Sequence, residues 1–279
     1  MIQSYHARRI LGKVFIYILL AVALTFFVAP FLWLLSTSVK DNIEAFDIPP
    51  RLIPKHFEWS NYQQAVSKIP FLTYTKNSLI ITGGCLIGGV LSSCMVGYSI
   101  SKVRWKGRNI IFALVIALMM IPSQVTMIPL YMVYNEIGWI DTYFPLIISY
   151  WVGPSFFVFL VRQFFLGIPD QLLDSARIDG ANEWCILWRI VLPISKGVVA
   201  TVCVFTFLWT WSDFMGPLLY LNSEEMRTLS LGLTIFVSEH SVDWGPLMAA
   251  ATIFIAPVLV LFFLAQKQFI GSIKISGFK

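Results

Sequence analysis

The chain has 279 residues, 57% of them hydrophobic and 13% charged, with a formal net charge of +5. Soluble domains carry roughly 25% charged residues, so composition alone excludes the soluble classes. Five uncharged runs, Val14–Val39, Asn77–Ser101, Asn109–Asn135, Thr142–Val161 and Trp244–Gln266, approach or exceed the roughly 20 residues that cross a bilayer. A sixth, Gly197–Ser212, is extended past Asp213 by the apolar stretch Phe214–Asn222. The expected fold class is therefore an all-α integral membrane protein of six transmembrane helices, at 14–36, 77–101, 109–134, 143–163, 194–216 and 245–267. With six spans, the segments on one side hold 14 of the 20 Lys and Arg, which predicts that both termini are cytoplasmic. The positive charge is topological and implies no nucleic-acid partner.

The basic lead with Arg8, Arg9 and Lys13 precedes a first span too long for the apolar core of a cleavable signal. The loop from Lys40 to Thr75 is predicted to contain a short helix, Trp59–Lys68, capped by Ser60 or Asn61. The second span carries Gly83, Gly84, Gly88, Gly89, Ser92 and Ser93. Small residues at this spacing read as an interior, close-packed helix or as general glycine enrichment in membranes. The third span contains Pro122 and Pro129 beside Ser123 and Gln124, a kinked helix that either lines a cavity or packs against neighbours. The four cysteines, Cys85, Cys94, Cys185 and Cys203, form no CxxC pair and read as small packing residues.

After the fourth span comes the polar stretch Gly167–Pro193. Asp170 is the expected cap of a helix carrying Leu172, Leu173 and Ala176, Gly180 a left-handed stop, and Asn182 the cap of a second short helix ended by Pro193. A helix–Gly–helix hairpin too polar for lipid reads as a docking surface. The fifth span reaches Asp213 after about 30 Å of helix. This acid is either a solvated member of an interfacial aromatic belt or a group facing the transport path. The loop 222–243 holds Glu224, Glu225, Arg227, Glu239, His240 and Asp243, and a basic tail follows the last span.

Catalytic chemistry is not visible. Gly12-Lys13 lacks the rest of a phosphate loop, and His6, His56 and His240 are dispersed outside the spans. No GxSxG elbow or intramembrane relay of acids occurs, so neither a catalytic residue, a metal site nor a cofactor is expected. A driving engine is expected on a separate subunit.

Asp174-Ser175-Ala176, three residues, Gly180, nine residues, then Ile190-Val191-Leu192-Pro193 resemble the EAA loop of ABC-importer permeases. Asp174 and Ser175 stand where that pattern has Glu and Ala. The run ARIDGA, Lys76-Asn77-Ser78, MIPSQVTMIPLY and TWSDFMGPLLYLNS look like the carbohydrate-uptake, maltose-type branch, so the resemblance covers nearly the whole chain.

It implies a type I importer transmembrane domain in a bacterial inner membrane, with a core over 72–270 and a coupling loop over 167–193. It also implies two ATP-binding cassette subunits, a homologous second permease in a heterodimer, an extracytoplasmic solute-binding protein approached by 222–243, and a carbohydrate substrate. Asp174, Ser175, Ala176, Arg177, Asp179, Gly180, Ile190, Leu192 and Pro193 are then the coupling residues. The small Ser175 and Ala176 would allow close approach, Asp174, Arg177 and Asp179 would make charge-assisted contacts, and Gly180 would give the turn. Asn77, Gln124, Tyr131, Trp151, Trp211 and Asp213 are the expected translocation-path residues. The competing reading is a stand-alone six-span secondary transporter or channel.

Overall fold

The computed structural model describes residues 2–237 and 242–276, with side chains from 10 to 237 and 242 to 266. Glu239, His240 and the end of the basic tail lie outside the described residues. Regular structure is helical, and among the described residues the one β contact is a bridge between Val237 and Val242. The chain separates into two packed units, one built from the N-terminal segment to Ile69 with Leu233–Ile255, the other from Pro70–Gly232 with the chain from Ala256 onward.

In the first unit, α1 (Ile2–Thr37) is exposed from Ile10 to Leu35 apart from two half-buried positions, because lipid is the solvent for its apolar side chains. Burial begins at Ser36 and continues through Lys40. There the short helix α2 (Ser60–Ser67) presents Asn61, whose amide donates to the carbonyls of Ser38 at 3.1 Å and Lys40 at 2.8 Å. Asn61 therefore does not cap α2, as the sequence led us to expect; Trp59 occupies that position without a side-chain bond. Lys68 pairs with Asp243 within the same unit.

The second unit is organised around α3 (Phe71–Ser101). α4 (Arg108–Met119) and α5 (Ser123–Glu136) meet at a bend of 100°. The expected third span is thus broken rather than kinked. Pro122 has no N–H to continue the ladder, and the backbone is extended there with ψ 133°, whereas Pro129 lies inside α5. The fourth span is also interrupted, as α6 (Phe144–Trp151) and α7 (Ser155–Leu166) are separated by Gly153 at φ 86° and Pro154.

The glycine stripe of α3 is a contact surface. A Cβ on Gly84 would lie 2.9 Å from Ile147, one on Gly88 2.3 Å from Trp151, and one on Gly97 2.8 Å from Val161. Close approach of α6 and α7 needs these glycines; Gly83, which faces open space, does not share the task.

The hairpin follows as α8 (Asp170–Ile178), α9 (Glu183–Ile186), a π-helical turn Leu187–Val191 and α10 (Leu192–Ile194). The helix does not stop at Pro193. The widened turn before it relieves the clash between a proline ring and the preceding carbonyls, and the chain bends by 83° only at Ser195. α11 (Lys196–Trp211) then packs on α3, and α12 (Met215–Tyr220), α13 (Leu229–Gly232) and α14 (Trp244–Ser276) complete the order. Among the described residues, four helical stretches are long and apolar enough to cross a membrane, with α6 and α7 taken together as one of them, and the count reaches six when each bent pair is one span.

Candidate functional site

The hairpin is closed by its backbone. Ala181 N–H bonds to the Ala176 carbonyl at 2.9 Å and Gly180 N–H to that of Arg177 at 3.0 Å, the two-bond arrangement that ends a helix in a left-handed residue. Gly180 has φ 86°, which any Cβ would strain although the space around it is open. Asn182 then accepts from Cys185 N–H at 2.8 Å and caps α9, as its sequence position led us to expect. Asp170 is not the cap of α8. Pro169 takes that place, and the Asp170 carboxylate turns to Lys102.

Two residues four apart, Tyr98 in the last turn of α3 and Lys102 just after it, hold both arms. Lys102 is buried, and its ammonium donates to the Ile168 carbonyl at 2.6 Å and to Asp170 Oδ1 at 2.7 Å. Tyr98 donates to Glu183 Oε2 at 2.5 Å. Arg177 staples the arms together, with Nε 2.8 Å from Glu183 Oε1 and Nη1 2.7 Å from Asp174 Oδ1. Helix dipoles favour this placement, a cation at the end of α8 and an acid at the start of α9. Beneath the staple, Leu173, Ile186 and Val191 are fully buried against Phe157, Phe165 and Val161.

The outward face consists of Asp174, Ser175, Ile178, Asp179 and Gly180, all exposed, with Ile178 at 86%. This changes the roles of two expected coupling residues. Ala176 is 8% exposed and packs inward, so its small size serves the fit of the hairpin to its own spans. The Arg177 guanidinium is committed within the hairpin instead of being offered to a partner. Ile190 and Leu192 pack at the edge of the same core, and Pro193 is exposed.

The hydrogen bond from Arg177 holds the Glu183 carboxyl below its usual range, and that from Lys102 does the same for Asp170. A depressed carboxyl contributes stability that is present above its unfolded pKa and lost as pH falls through the folded value. The hairpin should hold firm at neutral pH and loosen below about pH 4, near the intrinsic carboxylate pKa values. Hydrogen exchange over 170–186 measures this; equal protection at pH 7 and about pH 3.5 would contradict the staple.

A cavity of about 790 Å³ opens in the same unit among Tyr134, Ser149, Tyr150, Trp209, Asp213 and Tyr220. Gly216 N–H donates to Asp213 Oδ1 at 3.1 Å, and Trp209 stacks on Phe157 with ring centres 5.1 Å apart. Of the six expected path residues, Asp213 alone lines this cavity. Trp211 is 2% exposed and stacks on Phe207 at 5.5 Å, so it packs the interior. Asn77, 3% exposed, is a clamp. It donates to the Glu225 and Arg227 carbonyls at 2.8 Å each and accepts from Tyr143 at 2.7 Å. Tyr131 stacks on Tyr220, Gln124 is exposed, and Trp151 donates to the Gly84 carbonyl at 3.1 Å. Nothing in the sequence favours Trp209 over Trp211, because α11 is apolar all round. Nor did it single out Tyr98, Lys102 or Glu183; an acid just after a helix cap was the one available hint.

Residues 89–274 match the family described as binding-protein-dependent transport system inner membrane component. The chain belongs to this family of ABC-importer permeases. Relatives include a probable ABC transporter permease protein of Bacillus subtilis (strain 168), YurM, 30% identical over 94% of this chain and 87% of the relative. The arabinooligosaccharides transport system permease protein AraQ of the same organism is 34% identical over 90% of each chain. A solved bacterial ABC transporter involved in import of alginate shares the fold, with a TM-score of 0.81, 23% identity and coverage of 93% of this chain and 96% of that one. The permease is thus a multi-pass inner-membrane subunit that transports rather than catalyses. Its family implies an ATPase and a periplasmic binding protein as partners. The stand-alone transporter reading falls with this membership.

Proposed function

We propose that this permease carries a sugar or related polyol across the inner membrane by alternating access. Its partners are a homologous second permease in a heterodimer, two ATP-binding cassette subunits, one of them seated on the 167–193 hairpin, and a solute-binding protein delivering sugar near 222–243. The aromatic cavity carries the reading. Trp209 and the tyrosines offer faces suited to sugar C–H surfaces, and Asp213 offers a carboxylate suited to hydroxyl donors. Relatives named for arabinooligosaccharides, starch degradation products and diacetylchitobiose support it. A relative in Yersinia enterocolitica is named for sn-glycerol-3-phosphate, a phosphorylated polyol within the same substrate range.

The test is uptake of labelled oligosaccharides by the reconstituted importer with its binding protein. Asp213→Asn combined with Trp209→Ala should lower the transport rate by about tenfold, equivalent to about 1.4 kcal/mol, with the ATPase still bound. Unchanged uptake would overturn the proposal.

A further inference from the structure

A second cavity, of about 380 Å³, lies where α3 and α7 end and α8 begins. Lys102, Arg104, Arg108 and Arg177 converge on it, with Ser101 and Leu166 completing the wall, and Asp170 is its one carboxylate. That carboxylate is already neutralised by the Lys102 ammonium at 2.7 Å, and the Ser101 hydroxyl is turned to its own helix, donating to Gly97 O at 2.6 Å. Arg177 is satisfied by Asp174 and Glu183. Arg104 and Arg108 form no ion pair among the described residues, and Arg108 makes only a 3.4 Å bond to the Val103 carbonyl.

The inward bias of positive charge explains why cations occur in this segment, since Arg104 and Arg108 belong to the short loop between two spans. It does not explain why they converge on one concave site whose only acid is already paired with Lys102. A concave site with surplus guanidinium groups selects a phosphate oxyanion, to which arginine donates in a bidentate fork.

We infer that the Lys102–Arg104–Arg108 cavity binds the phosphate group of an anionic phospholipid headgroup. It lies at the ends of two membrane-spanning helices, the depth at which headgroup phosphates sit, and Leu166 on its wall suits the start of an acyl chain. The site adjoins the Lys102–Asp170 bond that holds the first hairpin arm, so an occupying phosphate steadies the joint between span and hairpin. Free inorganic phosphate shares the chemistry and lacks the acyl chain.

The whole importer is reconstituted in vesicles of phosphatidylcholine alone or with phosphatidylglycerol, and substrate-dependent ATP hydrolysis is read with and without millimolar inorganic phosphate. Phosphatidylglycerol should raise the activity several-fold, and an Arg104→Gln/Arg108→Gln variant should lose that increment while keeping the phosphatidylcholine rate. Native mass spectrometry of the purified complex should retain phosphatidylglycerol on the parent and not on the variant. Equal stimulation of both proteins, equal lipid retention, or activation by inorganic phosphate without anionic lipid would each overturn the assignment. A variant that fails to assemble is replaced by Arg104→Lys/Arg108→Lys, which keeps the charge and should recover part of the increment; no recovery would count against the site.

Discussion

Gly180→Pro should abolish ATP-driven uptake while leaving the permease inserted and folded in the membrane. Gly180 has φ 86°, and a proline ring fixes φ near −65°, so the left-handed turn could not form. The substitution also deletes the N–H that bonds the Arg177 carbonyl at 3.0 Å, and with it one of the two bonds that end α8. The arms would splay and the Arg177–Glu183 staple would open. Gly180→Ala is the graded control. It keeps the N–H and adds the left-handed cost of roughly 1–2 kcal/mol, and should reduce transport without abolishing it. Uptake by the reconstituted importer, with ATP hydrolysis read in parallel, separates uncoupling from failure to assemble. Wild-type transport by the proline variant would refute the role given to the turn.

Leu173→Ala should detach the hairpin from its spans without touching any charged group. Leu173 is fully buried and belongs to the cluster that joins α8 to Phe165, Ile186 and Val191. Removing a buried leucine side chain costs about 2–5 kcal/mol, most where the surroundings cannot collapse. Here Tyr98, Phe157 and Phe165 are held by long spans, so the cost should fall in the upper part of that range. Limited proteolysis should cut between residues 170 and 186 in the variant and not in the parent, with uptake lost in proportion. Equal protease resistance would mean that the hairpin is held by its ion pairs alone.

These two effects mark what was legible in the sequence. Uncharged runs identify spans because a bilayer demands long apolar segments, and the left-handed Gly180, the Asn182 cap and the helix–Gly–helix hairpin follow from local backbone chemistry. The breaks at Pro122 and at Gly153-Pro154 were harder, since proline is tolerated inside helices in one place and ends them in another; Pro129 beside Pro122 illustrates both outcomes. Facing was hardest. In lipid both sides of a helix are apolar, so neither Trp209 against Trp211 nor the inward Ala176 against the outward Ser175 can be assigned by periodicity. The bonds Tyr98–Glu183 and Lys102–Asp170 join residues far apart in the chain and are a property of packing alone.

The central claim is that one face of the hairpin meets the ATPase and the other belongs to the permease. A photo-reactive side chain placed at Ser175, which is exposed, and separately at Ala176, which is 8% exposed, tests it in the assembled importer. The ATPase subunit should be captured from position 175, and position 176 should yield only cross-links within the permease. Capture of the ATPase from 176 and not from 175, or from neither, would contradict the account.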